Sequence, residues 1–287
     1  MNKNLVWIWA LMMVVLSCKG RQSEVNAQVT DGLYEATQSQ QAEQKKARNE
    51  KIRSEKAKIV RMYEIPAPLT DRPEQILIKK GFTVSYNHQT KTPNWVAWHL
   101  TKSHTKGANQ RAYEKFTEDI SVGEPRATDD DYYNSRYDRG HMCPAGDNKW
   151  DKQAMEQSFL FTNICPQNHG LNKYEWNDLE MLCREWAYQY GAVDIVCGPI
   201  YGTSGIRKTI GKHKVWVPDA FFKVVLCRQG KAKAIGFVFR NEGKKQTVAD
   251  AVRSVDEIER LTGMDFFPEL DDPTEEKIEA TAKLSDW

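Results

Sequence analysis

A candidate β-hairpin constrains the fold of this 287-residue chain more than any other feature. Two apolar stretches flank the turn-forming pair Gln229-Gly230 in the segment AFFKVVLCRQGKAKAIGFVFR, a pattern that predicts two antiparallel strands. Three further runs are typical of strands, namely FTVSYN, WVAWHL and AVDIVCGPIYG. We therefore expect an α+β fold in which helices flank a central antiparallel β-sheet.

Two stretches carry apolar residues at helical spacing. The first runs from Lys173 to Tyr190, with Gly191 placed to end it, and follows a loop-like segment that spans residues 163–172. Its predicted apolar face consists of Trp176, Leu179, Cys183 and Trp186. The second helix is predicted to end at Gly263, with an apolar stripe formed by Val248, Val252, Val255, Ile258 and Leu261.

The first eighteen residues have the organisation of an export signal. Lys3 provides positive charge, and the apolar run of residues 5–16 is shorter than the roughly 20 residues of a membrane-spanning helix. The run ends in Val-Leu-Ser-Cys, which resembles the lipobox of bacterial lipoproteins and predicts lipidation of Cys18. An ordinary secretory signal with a chance cysteine is the alternative. We expect a cell-envelope protein, lipid-anchored to a bacterial membrane and either periplasmic or surface-exposed.

Composition divides the rest of the chain into three predicted parts. Residues 19–72 are rich in Gln, Glu, Lys and Arg, which predicts a polar tether. Residues 73–270 are predicted to form the folded domain, whose first 191 residues contain 27 Lys and Arg against 23 Asp and Glu. This mild basicity permits a nucleic-acid partner without demanding one. Residues 271–287 are predicted to be an acidic tail.

Five cysteines follow Cys18 in the sequence. Exported chains can form disulfides, and because five is an odd number, at least one thiol is predicted to be free or to pair between chains. No bridge is assigned by the sequence. The five residues are Cys143, Cys165, Cys183, Cys197 and Cys227.

The segment YDRGHMCPAGDN, residues 137–148, concentrates polar groups near the middle of the chain. Such a composition is typical of a solvated turn, and also of an enzyme site that handles phosphate. Hydrolysis of a phosphodiester needs a proton acceptor and a means of stabilising charge at the phosphate. Histidine is the natural base near neutral pH, and arginine binds phosphate with a rigid fork of donors. Asp138, Arg139 and His141 therefore form one half of a candidate site.

Complementary groups follow in the segment NICPQNHGLNKYEWNDLEMLCREW. Asn172 stands at the predicted start of the first helix, and Glu180 and Arg184 are four residues apart, so they share a helix face. Eight residues at about 100° each leave Asn172 about 80° around the axis from Glu180. The three side chains can supply an amide oxygen for a metal, a carboxylate for its waters and a guanidinium for phosphate.

These motifs together resemble the DNA/RNA non-specific endonuclease family. The resemblance rests on DRGH, TNICPQNHGLNKYEWNDLE and CREW, and extends to NWVAWHLTKS, GPIYG, VPDAFFKVVL and VDEIERLTGMDFF. It covers about residues 82–270. It implies a ββα-metal active-site motif and sugar-non-specific nuclease activity.

The resemblance assigns roles to four residues at the centre of the reaction. It makes His141 the general base and Asn172 the single direct protein ligand of Mg²⁺, with Mn²⁺ as an alternative ion. Glu180 would hydrogen-bond the metal's waters. Arg184 would stabilise the transition state.

Four further residues receive supporting roles from the same resemblance. Asn163 would support the loop and the histidine, and Asp138 would orient neighbouring groups. Arg139 would contact or position the nucleic-acid backbone, and Arg111 would assist at the phosphate. The chain departs from the family pattern at Met142-Cys143, which places a thiol near the site.

Each assignment has a purely structural alternative. His141 could be a turn histidine that donates to a backbone carbonyl, and Asn172 could be a helix N-cap and no more. Glu180 and Arg184 could form a surface ion pair of little energetic value. Asp138 and Arg139 could simply pair with each other.

The sequence therefore predicts a Mg²⁺-dependent endonuclease that hydrolyses DNA and RNA and leaves 5′-phosphate ends. The resemblance also raises a homodimer, for which the sequence identifies no interface. One alternative is a surface protein that binds nucleic acid without turnover. Another is a scaffold lipoprotein in which His141, Cys143, Cys165 and His169 bind a structural zinc.

Overall fold

Seven antiparallel strands form the central sheet of the computed structural model, which describes residues 62–202 and 207–287. Every neighbouring pair is antiparallel, and the strands in their order across the sheet are β1 (Gln75–Ile78), β2 (Thr83–Asn87), β3 (Thr92–Thr101), β6 (Ala192–Ile200), β9 (Ala220–Cys227), β10 (Lys233–Arg240) and β11 (Val252–Arg253). The predicted hairpin is confirmed, since β9 and β10 pair across a turn in which Gly230 adopts a φ of 70°.

Two small antiparallel ribbons and seven α-helices surround this sheet in the described ranges. One ribbon pairs β4 (Asp138–His141) with β5 (Ile164–Gln167), and the other pairs β7 (Thr209–Ile210) with β8 (Val215–Trp216). The α-helices are α1 (Asp129–Tyr132), α2 (Lys152–Ser158), α3 (His169–Lys173), α4 (Glu175–Tyr190), α5 (Val248–Ala251), α6 (Val255–Thr262) and α7 (Asp272–Glu279).

The alternation of side chains along the strands gives the sheet two buried faces. On β3, Val96 and Trp98 join the core beneath α4, whereas Trp95 and Ala97 join the core beneath α6 and α7. Successive strand residues point to opposite faces, so a strand buried on both sides carries a continuous apolar run. The result is the predicted α+β architecture, with helices packed on each face of an antiparallel sheet. The four apolar residues predicted for the long helix, Trp176, Leu179, Cys183 and Trp186, are all buried.

The second predicted helix is interrupted. The apolar stripe that begins at Val248 is divided between α5, the short strand β11 and α6. Thr247 and Ser254 each form a capping box with the residue three positions later, so the chain begins a new helix at each of them. Leu261, predicted to lie on the apolar face, is 57% exposed. The prediction of one continuous helix is therefore wrong, whereas its end at Gly263, with a φ of 69°, is confirmed.

Both ends of the described chain pack on the sheet more extensively than composition suggests. Tyr63, Ile65 and Leu69, within the predicted tether, pack against the core beneath α6 and α7. In the predicted acidic tail, α7 buries Ile278, and the ring of Trp287 lies 4.5 Å from that of Trp186. These apolar and aromatic contacts make residues 62–72 and 271–287 part of the fold, which corrects the predicted boundaries of the domain.

All five cysteines of the described ranges are buried as free thiols. No helix in this part of the chain combines the length and the apolar character that crossing a bilayer requires. The predicted signal peptide and Cys18 lie outside the described residues, so the lipid anchor stays a prediction.

Candidate active site

A ribbon followed by a helix positions the candidate catalytic groups. The DRGH tetrad forms β4 and pairs in register with β5, so that Asp138 faces Gln167 and His141 faces Ile164. The tetrad is thus a strand, and the predicted loop at residues 163–172 contains β5 and most of α3. Gly140 is required here because a Cβ atom would lie 2.2 Å from the side-chain oxygen of Gln167. With α4 following, the arrangement is the ββα motif that the resemblance implies.

The ribbon and α4 border a cavity of about 540 Å³ that collects most of the predicted site residues. Its wall also includes three groups that the sequence did not indicate as site residues, Lys149, Lys173 and Asn177. The predicted residues that line it are Arg111, Asp138, His141, Asn172, Glu180 and Arg184. Arg111 and Arg184 are far apart in the sequence, yet the fold brings both to the wall of this cavity with the other four predicted residues.

His141 is buried against aromatic rings and is 6% exposed. Its ring lies 4.9 Å from that of Phe159 in an edge-on arrangement and 5.3 Å from that of Phe116. Its Nε2 atom is buried and has no hydrogen-bond partner within residues 62–202 and 207–287. Burial, reinforced by the charge of Arg111, lowers the pKa of His141 to about 3. The imidazole is therefore neutral at physiological pH and retains a nitrogen that can accept a proton.

Asp138 organises the polar side of the cavity. Its Oδ2 atom accepts a hydrogen bond from Nδ2 of Asn172 at 2.9 Å, and Nδ1 of His169 lies 3.0 Å from the same oxygen. Asp138 does not pair with Arg139, since Arg139 instead binds the carboxylate of Asp129 at 2.5 Å. The amide nitrogen of Asn172 is thereby engaged, which leaves its carbonyl oxygen as the atom available to another ligand.

Asn172 does not cap the long helix. It lies inside the short helix α3, whose N-cap is Asn168, and the backbone breaks at Tyr174 before α4 begins at Glu175. Tyr174 has φ −114° and ψ −87°, which is not helical, so the angle of about 80° predicted between Asn172 and Glu180 on one helix does not apply. The helix break nevertheless leaves both side chains on the wall of the same cavity.

Glu180 and Arg184 do not pair with each other. Arg184 donates from Nη1 to Oδ1 of the buried Asp147 at 2.9 Å, and Nε1 of Trp98 donates to the other oxygen of Asp147 at 3.0 Å. This fixes one edge of the guanidinium and leaves its remaining donors for the cavity. Burial raises the pKa of Glu180 to about 7, although the charges of Lys223 and Arg184 oppose that shift. Asp147, which sequence reasoning missed, is thus the partner that holds Arg184.

Lys223 is a second group that sequence reasoning missed. It lies on β9 within an apolar run, is fully buried, and its Nζ atom has no hydrogen-bond partner in the described protein. The ammonium lies 4.4 Å from the ring centre of Trp176 and 5.6 Å from that of Trp98. Its charge interacts with those of Asp147 and Glu180. The only sequence signal was a charged residue inside a strand-like apolar segment.

Asn163 and Arg139 lie outside the wall of the cavity. Asn163 is fully buried, accepts from the backbone N–H of Cys143, and donates to the carbonyls of Cys143 and Ser158. These bonds fix the chain immediately after His141, in accord with a supporting role. Arg139 binds Asp129 and lies over the rings of Phe116 and Tyr132 at 5.7 and 5.6 Å. Its role at nucleic acid stays a prediction.

The donor set of the cavity fits a hard cation that keeps most of its water. Asn172 and Glu180 offer oxygen atoms, which Mg²⁺ and Mn²⁺ accept, and Mg²⁺ is commonly bound through few protein groups. The zinc site considered as an alternative is not formed. In residues 62–202 and 207–287, the only three His, Cys, Asp or Glu side chains whose ligand atoms all lie within 4.8 Å of one another are Asp256, Glu259 and Glu279. His169 instead contacts Asp138, at the rim.

Comparison with known proteins supports the family resemblance that the sequence motifs indicate. The family described as DNA/RNA non-specific endonuclease matches residues 62–273. The chain is 40% identical over 202 residues to "Nuclease EXOG, mitochondrial" of Danio rerio, a match that covers 65% of this chain and 59% of that protein. This is less than two thirds of the relative's length. A match to "Nuclease C1" of Cunninghamella echinulata var. echinulata is 33% identical over 210 residues and covers 68% of this chain and 83% of the relative.

A solved structure has the same fold. The similarity covers 73% of this chain and 90% of a chain in the structure titled "Crystal structure of the EndoG/EndoGI complex: Mechanism of EndoG inhibition", with a TM-score of 0.67 and 26% identity. The family match covers most of the chain and includes every residue that lines the cavity. The chain belongs to the DNA/RNA non-specific endonuclease family.

Proposed function

We propose that this protein is a metal-dependent endonuclease that hydrolyses the phosphodiester bonds of DNA and RNA. The observation that carries the proposal is that one cavity is lined by His141, Asn172, Glu180 and Arg184, with Nε2 of His141 unpartnered among the described residues. A proton acceptor, oxygen donors and a guanidinium are the groups that phosphodiester hydrolysis requires. The relatives carry the word nuclease in their names, which supports the same reaction class.

His141 is the proposed general base. Nε2 takes a proton from a water molecule, the water oxygen bonds to phosphorus, and the bond from phosphorus to the 3′ oxygen breaks. A second water molecule gives a proton to the leaving 3′ oxygen, so that the products carry a 5′-phosphate and a 3′-hydroxyl. The charge of Arg111 is one cause of the low pKa of His141, and a bound phosphate of opposite charge would weaken that effect.

Asn172 and Glu180 are the proposed metal-binding residues. The carbonyl oxygen of Asn172 would bind the ion directly, and the carboxylate of Glu180 would accept hydrogen bonds from water bound to it. A Mg²⁺ ion held there would offset negative charge that develops on the phosphate oxygens. Mn²⁺ accepts the same oxygen donors.

Arg184 is the proposed transition-state group. Its bond to Asp147 holds the guanidinium against the cavity wall, so that the positive charge is in place before the substrate arrives. Preorganised charge of this kind contributes to catalysis because no side chain has to reorder during the reaction. Asp147 is therefore proposed as the residue that positions Arg184.

Low sequence selectivity is proposed for the same cavity. The basic side chains at its wall, Arg111, Lys149 and Lys173, suit phosphate groups, which both DNA and RNA present at every nucleotide. Contacts to phosphate position a nucleic acid but do not distinguish its bases. The proposal therefore includes cleavage of single-stranded and double-stranded substrates.

The proposed function is tested by cleavage of closed circular DNA. The purified full chain is incubated with circular single-stranded DNA, circular double-stranded DNA and RNA, in MgCl₂, in MnCl₂ and in EDTA. Cleavage of circles with either ion, its loss in EDTA, and products that accept a label only after removal of a 5′-phosphate support the proposal. Binding of circles without any cleavage in either ion would favour the non-catalytic nucleic-acid-binding alternative.

We also propose that the protein is lipid-anchored in a bacterial cell envelope through Cys18. The apolar run of residues 5–16 and the following Cys18 support this location. The test is incorporation of labelled fatty acid, with Cys18→Ala as the comparison. Label that is equal in both proteins would contradict the anchor. The homodimer stays a prediction, checked by the sedimentation of the full chain.

A further inference from the structure

A second polar cavity lies between α6 and α7, on the face of the sheet opposite α4. Its volume is about 400 Å³, and all the residues that line it carry carboxylates. The six residues are Asp256, Glu259, Asp265, Glu275, Glu276 and Glu279. None of the catalytic residues proposed above lines this cavity, so its chemistry needs a separate explanation.

Three of the carboxylates converge closely. One oxygen from each of Asp256, Glu259 and Glu279 lies within 4.8 Å of the other two. Asp256 and Glu259 are three residues apart on α6 and so share a face, while Glu279 ends α7. The three carboxylates therefore bring together two consecutive helices, α6 and α7.

Glu279 is the most unusual member of the group. It is 4% exposed, and its Oε1 atom is buried without a hydrogen-bond partner in the described protein. Glu259 accepts from the backbone N–H of Phe266 through Oε1, which leaves its other oxygen available. Buried carboxylate oxygens without partners are costly, and in proteins they are normally paired with cations or metals.

None of the six carboxylates forms an ion pair with a Lys, Arg or His side chain of residues 62–202 and 207–287. The cavity thus places several carboxylates around a buried oxygen of Glu279 that has no hydrogen-bond partner among the described residues.

We propose that Asp256, Glu259 and Glu279 bind a Ca²⁺ ion that ties α7 to α6. Ca²⁺ accepts six to eight oxygen ligands in a flexible geometry, including carboxylates that bind through both oxygens. Mg²⁺ demands a regular octahedron and usually keeps several waters, which suits a cavity of six carboxylates less well. The role of the ion is to stabilise the C-terminal helix on the sheet, independently of the catalytic cavity.

The test titrates CaCl₂ into the full chain carrying Asn172→Ala, which removes the proposed metal ligand of the catalytic cavity. Titration calorimetry is expected to show that each chain binds one Ca²⁺ ion. The melting temperature is expected to rise by at least about 4 °C in 1 mM CaCl₂, because an ion that binds only the folded state stabilises it. MgCl₂ at the same concentration is expected to give less than half that rise.

Substitutions of the proposed ligands test whether Ca²⁺ binds at this cavity. Glu279→Gln, introduced into the Asn172→Ala chain, is expected to abolish both the heat of Ca²⁺ binding and the increase in melting temperature. Asp256→Asn provides a second variant if Glu279→Gln fails to fold. The matched control is Glu269→Gln, which removes the same charge from an exposed residue outside the cavity and is expected to keep the full response. Absence of any response to CaCl₂, or a response that survives both Glu279→Gln and Asp256→Asn, would overturn the proposal.

Discussion

The side-chain amide of Asn172 donates to Oδ2 of Asp138 at 2.9 Å, across the junction between β4 and α3. This bond fixes which end of the amide faces Asp138 and therefore which end faces the cavity. A carboxylate accepts hydrogen bonds only, so the amide nitrogen is the atom that turns toward it. The carbonyl oxygen, the better metal ligand, is left for the cavity.

Asp138→Asn is expected to weaken metal binding without removing the metal ligand. An amide at position 138 no longer enforces the orientation of Asn172, and the loss of such a supporting bond typically costs 10–100-fold in metal affinity or activity. The measurement is the MgCl₂ concentration that gives half-maximal cleavage, which is expected to rise by about 10-fold or more. Asp130→Asn, the same change at an exposed residue, is the control. An equal rise in both variants would contradict this explanation.

Arg184 is expected to show separate effects on stability and on rate. Arg184→Ala leaves the buried carboxylate of Asp147 without its cationic partner and is expected to lower the free energy of unfolding by about 3 kcal/mol. Arg184→Lys keeps the charge but loses the rigid fork, so it is expected to retain most of the stability while kcat falls by about 10-fold or more. Urea unfolding and single-turnover cleavage measure the two effects. Arg260→Ala, at an exposed arginine of α6, should change neither.

His141 is expected to make the fold sensitive to acid. Its folded pKa of about 3 lies below the ordinary value of 6.5, so the unfolded chain binds the proton more readily between these limits. Stability from this residue is fully present above about pH 6.5 and is lost as the pH falls toward 3. Between pH 7.5 and 4.5 the free energy of unfolding is expected to fall by about 2–3 kcal/mol more in the wild type than in His141→Gln. Equal falls in urea unfolding experiments would contradict the neutral, buried imidazole.

Arg111 is expected to contribute to binding through phosphate alone. In the His141→Ala background, Arg111→Ala should weaken binding to unrelated DNA sequences equally and reduce the slope of log affinity against log salt by about 1. Arg139→Ala should reduce the slope by less, because Asp129 already neutralises that guanidinium. Fluorescence anisotropy across a salt series measures both. A larger effect for Arg139 than for Arg111 would show that the pair with Asp129 opens on binding.

The sequence predicted the sheet and the long helix because their signals are local. Apolar runs and the Gln229-Gly230 turn identify β9 and β10, and a stripe of four apolar residues identifies α4. The break at Tyr174 escaped prediction because no glycine or proline marks it. The capping residues Thr247 and Ser254 divide the second predicted helix in two. The prediction missed them because it considered only the spacing of apolar residues.

Six of the eight predicted site residues of the folded domain line one cavity, but the partner of Arg184 was not predicted. Local spacing places Glu180 and Arg184 on one helix face, whereas the structure pairs Arg184 with Asp147, 37 residues earlier in the chain. This pairing depends on how β4 and the turn that follows it pack against α4. Tertiary contacts of this kind produce no periodic pattern in the sequence. Lys223 escaped for the same reason, since its partners are two tryptophan rings from other elements.

The central claim is that His141 performs chemistry and does not hold the substrate. The most direct measurement is single-turnover cleavage of circular DNA by His141→Ala at saturating enzyme with MgCl₂, together with the affinity of the same variant for that DNA. The cleavage rate is expected to fall by about 10²–10⁴-fold, with an affinity within about threefold of the wild type. A variant that cuts at the wild-type rate, or one whose whole loss of activity follows from a matching loss of binding, would contradict it.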